Sequence, residues 1–238
     1  MLQELDTALT LAESDDEVRV IVLAGKGKHF SSGHDLKALD ESERDSVEKR
    51  WAQESKYYFD VCARILSLSK PTIAQVQGGA IAAGFMLANV CDLIVAADNA
   101  FFADPVLNSF GCPGVEVLIH PWVMGTRRAK EMLFTGGRVT AQEAYQAGMV
   151  NRVVPMDALD AETLAFAQTI AKTPPFGMKL MKRAFQRALD AQGLSQSLQA
   201  AFDLHQLSHA TFEQTELTRQ ASAQQQIDTM KSASRSKG

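Results

Sequence analysis

The 238-residue chain has only three cysteines, Cys62, Cys91 and Cys112, with no CxxC pair and no histidine pair beside them. So sparse and odd a count argues against a disulfide framework or a zinc site, and it suits a reducing compartment. No apolar run approaches the ~20 residues that a membrane-spanning helix needs. The opening "MLQELDTALTLAE" carries acids where a secretory signal needs cations and then an apolar stretch. The expectation is a cytoplasmic protein with no membrane partner. Basic blocks are lacking too: the net charge is −4, and no cationic run precedes the tail "MKSASRSKG", which reads as a solvated terminus. Nucleic acid therefore drops out as a partner. Neither GxxxxGK[ST] nor a GxGxxG in a strand-to-helix setting occurs, so a doubly wound nucleotide-binding protein lacks its phosphate fingerprint. No internal repeat is visible.

What is present reads as one large α/β domain. Hydrophobic residues make up 46% and charged residues 22%, an ordinary balance for a globular chain with a sizeable core. Leu2, Leu5, Leu9 and Ala12 recur at helical spacing. The runs "VRVIVLAG", "PTIAQVQG" and "DLIVAA" have the continuous β-branched character of strands buried on both faces. "AFFADP" and "MVNRVVP" are further strand candidates. Residues 41 to 69 read as helical, with Trp51, Tyr58, Val61, Ile65 and Leu66 available for a core face. "TAQEAYQAG" has a capping-box start at Thr140 and Glu143 and a glycine stop at Gly148. From about residue 157 the pattern is helical, broken at "TPP" and at Gly193. Strands alternating with helices and then helices alone predict an α/β core with a helical appendage.

Two segments join a buried strand to a small-residue turn and a helix start: "VLAGKGKHFSSGHDLKAL" and "AQVQGGAIAAGFMLANV". The first amides of a helix lack internal partners, and small side chains let a ligand approach the backbone. Two such turns could aim two N–H groups at one carbonyl oxygen, as an oxyanion hole does. Tight packing of strand against helix is the commoner reason for such small residues when a cluster is seen singly.

The segments "HFSSGHDLKAL", "KPTIAQVQGGAIAAGFMLANVCDLIVAADNAFFADP", "GCPG" and "LFTGGRVTAQEAYQAGMVNRVVP" resemble, in order, the enoyl-CoA hydratase/isomerase, or crotonase, superfamily. The resemblance implies a spiral of ββα turns over residues 1–174 and a helical trimerisation region over 175–238, with trimers or hexamers as the assembly. It implies an acyl-CoA thioester as partner, with coenzyme A carried by the substrate and no separate cofactor or metal. The thioester oxygen would lie on the backbone N–H groups of His34 and Ala83, with Ser32, Gly33, Asp35, Leu36, Met86 and Val106 around the substrate. A His34 imidazole pointing into the pocket is a further reading.

Hydratases of this family use two glutamates, one to take a proton and one to deliver it. Their positions here carry Met86 and Val106, which can do neither. Glu116, in "GCPGVEVLIHPW", is the favoured replacement acid or base, followed by His120, one helical turn on, and Asp104. The function expected is an enolate-based step on an acyl-CoA: isomerisation, hydration or another reaction through an enolate. The alternative is a protein that kept the fold and binds acyl-CoA without catalysis. The first strand hairpin of the family is expected to be missing from this chain.

Overall fold

The computed structural model describes residues 1–35, 46–108 and 111–209. The opening helix α1 (Leu2–Ser14) leads to β1 (Ile21–Ala24). A helical segment follows, made of α2 (Val47–Glu54), a π-helical turn (Ser55–Phe59) and α3 (Asp60–Ser67). Then come β2 (Thr72–Val76), β3 (Gly79–Ile81), α4 (Ala83–Asn89), β4 (Leu93–Ala97) and β5 (Phe101–Ala103). The chain continues through α5 (His120–Met124), α6 (Thr126–Thr135), β6 (Arg138–Thr140), α7 (Ala141–Gln146) and β7 (Arg152–Val154). It closes with α8 (Leu159–Ala171), α9 (Pro175–Ala191) and a helix through residues 194–209.

From β2 to β5 the strands alternate between two sheets. One sheet is parallel throughout, in the order β1-β2-β4-β7; the other, β3-β5-β6, is mixed. The units β2–β3–α4 and β4–β5–α5 each lay one strand in each sheet before a helix returns the chain, which is a ββα spiral. Side chains alternate across β2: Ile73 joins Val95, Leu159 and Ala167 under α8, while Ala74 and Val76 enter the main core on the other face. Burial on both faces is why these strands read as unbroken apolar runs. The capping box forms as expected: Glu143 N–H donates to the Thr140 hydroxyl, and the Glu143 carboxylate accepts from Thr140 N–H at 2.8 Å.

Two features escaped the sequence pattern. The strand β3 is only three residues long and made of Gly79, Ala80 and Ile81, so it carries no periodic signal. The π-helical turn inserts an extra residue into an otherwise regular helix, which rotates Tyr57 and Tyr58 relative to the helices on either side. Among the described residues, no helix is long and apolar enough to cross a membrane.

Candidate active site

The two small-residue turns meet. The loop before residue 34 is stitched to the end of β2 and to β3 by Phe30 N–H to the Gln77 carbonyl (2.8 Å), Ser31 N–H to the Gly79 carbonyl (3.1 Å) and Ile81 N–H to the Ser31 carbonyl (2.9 Å). The Gln77 amide reaches back to the Gly25 and Gly27 carbonyls at 2.6 and 3.0 Å. Gly84 packs so closely that a Cβ there would fall 2.5 Å from the Ser31 carbonyl oxygen. A Cβ on Gly33, built at φ +99°, would lie 3.3 Å from the Ala82 Cβ and 3.7 Å from the Ala83 nitrogen. Small residues here serve first to bring the two turns together. That contact in turn sets His34 beside the start of α4.

Ala82 makes the reversal from β3 into α4 at φ 51° and ψ −118°. A side chain in that region is strained by roughly 1–3 kcal/mol. Ala82→Gly should therefore leave stability unchanged or raise it by up to roughly 2 kcal/mol, whereas a β-branched valine should lower it. Urea unfolding of both variants checks this; a clear loss with glycine contradicts the strain. The first intrahelical bond of α4 runs from Met86 N–H to the Ala82 carbonyl at 3.2 Å, so the Ala83 amide precedes the helical ladder.

A cavity of about 390 Å³ opens over this junction. Gly33, His34, Asp35 and Ala83 line it from the turns, Tyr57, Tyr58, Val61 and Cys62 from the helical segment, and Glu116 from the loop before α5. Ser31, Leu87 and residues Met1, Leu2 and Gln3 complete the wall. Glu116 is 4% exposed, and its Oε1 is paired with Nε2 of His34. The His34 ring stacks on Tyr58 at 4.2 Å between centroids. The imidazole thus points into the cavity and meets a carboxylate carried by a different element, 82 positions away. Burial, and then the charge of Glu116, push the Cys62 thiol well above its usual range. Cys62 is accordingly a neutral wall residue rather than a thiolate nucleophile.

The other residues singled out from sequence lie elsewhere. Met86 is 1% exposed within the main core and is not among the cavity-lining residues; Val106 begins a short 3₁₀ turn and does not line it either. Ser32 is exposed beside the cavity, and Leu36 lies outside the described residues. Asp104 and His120 are fully buried as a pair, with Oδ2 and Nε2 at 3.1 Å, away from the cavity wall. Their atoms are close but not aligned as a hydrogen bond. Asp104 also accepts from the Val106 amide at 3.1 Å, and His120 stacks on Phe85 at 4.3 Å. Both therefore brace the core between β5, α4 and α5.

The pairing of His34 with Glu116 had no local signal in the sequence, because it depends on how the two loops fold over α4. A second cluster, Glu54 with His205 and His209, also went unread. The four-residue spacing of the two histidines on a helix was the available clue.

Comparison with known proteins follows the same lines. Residues 1–230 match the family described as enoyl-CoA hydratase/isomerase. A Mycobacterium tuberculosis protein with the provisional name enoyl-CoA hydratase EchA13 is 43% identical over 228 residues, which is 88% of this chain and 72% of that protein. The crystal structure of a provisionally named enoyl-CoA hydratase from Mycobacterium thermoresistibile superposes with a TM-score of 0.84 at 48% identity, covering 90% of this chain and 87% of the other. A 4-chlorobenzoyl coenzyme A dehalogenase from an Arthrobacter species is 32% identical over 202 residues, 84% of this chain and 71% of the dehalogenase.

Proposed function

This chain belongs to the enoyl-CoA hydratase/isomerase family, and from that premise we propose that it acts on an acyl-CoA thioester through an enolate, with Glu116 moving the proton. The observation that carries the reading is the meeting of the paired Glu116 carboxylate and His34 imidazole with Ala83, at the start of α4, on one cavity. In this reading the amides of His34 and Ala83 hold the thioester oxygen and stabilise the negative charge that develops there when an α-proton leaves. Glu116 accepts that proton. The His34 side chain, hydrogen-bonded to it, orients the carboxylate and shares the proton. Coenzyme A enters as part of the substrate.

A single carboxylate–imidazole pair favours double-bond migration over hydration. Migration needs one group that removes a proton from one carbon and returns it to another. Hydration needs water to be activated and a proton delivered together, which the family does with two glutamates. With methionine at 86 and valine at 106, the second acid is missing. Wild type, Glu116→Gln and Met86→Glu/Val106→Glu should be assayed in parallel for crotonyl-CoA hydration and for enoyl-CoA double-bond migration. Migration that is lost with Glu116→Gln, together with slow wild-type hydration, supports the reading; rapid wild-type hydration unaffected by Glu116→Gln sinks it. Because Met86 is buried in the core, the added carboxylate at 86 is also expected to lower stability.

Self-association is part of the proposal. α9 exposes Phe176, Leu180, Met181 and Phe185, an apolar face that water solvates poorly. Burial of that face between copies, in a trimer or a hexamer, is expected. Light scattering that returns a stable monomer at micromolar concentration would contradict it.

A further inference from the structure

Away from the cavity, three side chains converge where α2 meets the helix through residues 194–209. Glu54, the last residue of α2, is 2% exposed. His205 and His209 stand one turn apart on the same face of the C-terminal helix, with His205 4% exposed. Oε2 of Glu54 lies 3.4 Å from Nε2 of His205 and 3.8 Å from Nε2 of His209, and the two Nε2 atoms are 2.9 Å apart. The imidazole planes cross at 87°.

Hydrogen bonding fixes which atoms offer lone pairs. Nδ1 of His205 faces the Cys112 carbonyl at 2.6 Å, and only a protonated nitrogen can do so. In the neutral ring, Nε2 therefore presents a lone pair toward the carboxylate and toward the second histidine. An anionic oxygen and ring nitrogens that meet in a buried site need a cation among them, either a proton or a metal ion.

The spacing fits a metal. A tetrahedral zinc ion at ~2.0–2.1 Å from nitrogen and ~2.0–2.2 Å from oxygen holds its ligand atoms roughly 3.3 Å apart. The three separations here, 2.9, 3.4 and 3.8 Å, bracket that value. The surroundings fit as well. The Gln206 amide donates to Oε2 of Glu54 at 2.7 Å, and Nδ1–H of His205 donates to a backbone carbonyl. Outer partners of these kinds orient a carboxylate and fix a histidine tautomer at metal sites.

We propose that Glu54, His205 and His209 form a binding site for a divalent transition metal, with zinc the ion best suited to two imidazoles and one carboxylate. The ion braces the cavity from outside. Glu54 lies three residues before Tyr57, and Cys112, the backbone partner of His205, precedes Glu116 in the same loop. One ion thereby ties the C-terminal helix to both the tyrosine-bearing segment and the Glu116-bearing loop.

The test uses the untagged full chain, stripped with a chelator and dialysed against micromolar free zinc. Bound metal is counted by inductively coupled plasma mass spectrometry, and affinity is measured by calorimetry. The proposal predicts one zinc equivalent per chain and a rise in Tm of about 5–10 °C at ~100-fold excess over Kd. His209→Ala, at a half-buried position, and the near-isosteric Glu54→Gln should each abolish that equivalent, whereas His34→Ala should keep it. If wild type retains no zinc, only a proton occupies the cluster and the proposal is overturned. It is overturned equally if His209→Ala and wild type, both folded by circular dichroism, bind the same amount.

Discussion

Glu116→Gln is expected to lower turnover of an enoyl-CoA thioester by about 10²–10⁴-fold, the usual effect of losing a positioned acid or base. Thioester affinity should change little. Glutamine keeps the shape of the side chain and can still hydrogen-bond the His34 ring, so the cavity wall persists while the proton acceptor is lost. The loss should therefore appear in kcat far more than in KM. A combined loss of affinity and fold, read from calorimetry and circular dichroism, would instead assign Glu116 a structural role, as a buried anion that holds His34 in place.

The second large effect separates the backbone of His34 from its side chain. His34→Ala keeps the amide and removes the imidazole, leaving the buried Glu116 carboxylate without that partner. His34→Pro removes both the ring and the N–H donor. Loss of one oxyanion-hole donor typically lowers kcat by about 10²–10³-fold. The proline variant should fall below the alanine variant by about that factor. The gap should widen for thioesters whose enolate places more charge on oxygen. Equal activities in two variants that both fold would remove the His34 amide from the oxyanion hole.

Much of the fold was legible because its signals are local. Thr140 and Glu143 specify their capping box within four residues, and the apolar runs of β2 and β4 reflect burial on both faces of one sheet. β3 was not legible, since Gly79, Ala80 and Ile81 form a strand only because Phe101, Phe102 and Ala103 pair with them in parallel. At the site, the turn at Gly33–His34 and the start of α4 at Ala83 could be found from small residues after a buried strand. Glu116 could be named only as a candidate. Its contact with His34, like that of Glu54 with His205, joins elements distant in sequence and has no periodicity to betray it. Asp104 and His120 stood behind Glu116 as candidate acids on sequence position alone. Their complete burial against Phe85 and the 3₁₀ turn at Val106 gives them structural work instead.

The central claim is that this cavity makes a thioester enolate, and α-proton exchange in heavy water tests it without assuming any particular overall reaction. A panel of saturated acyl-CoA thioesters would be incubated with the protein in D₂O and analysed by mass spectrometry and proton NMR for deuterium at the α-carbon. Exchange catalysed by wild type, abolished by Glu116→Gln and weakened by His34→Pro, is the predicted result. Thioesters that bind wild type, as read by calorimetry, yet gain no α-deuterium would contradict the account and leave a protein that holds acyl-CoA without reacting it.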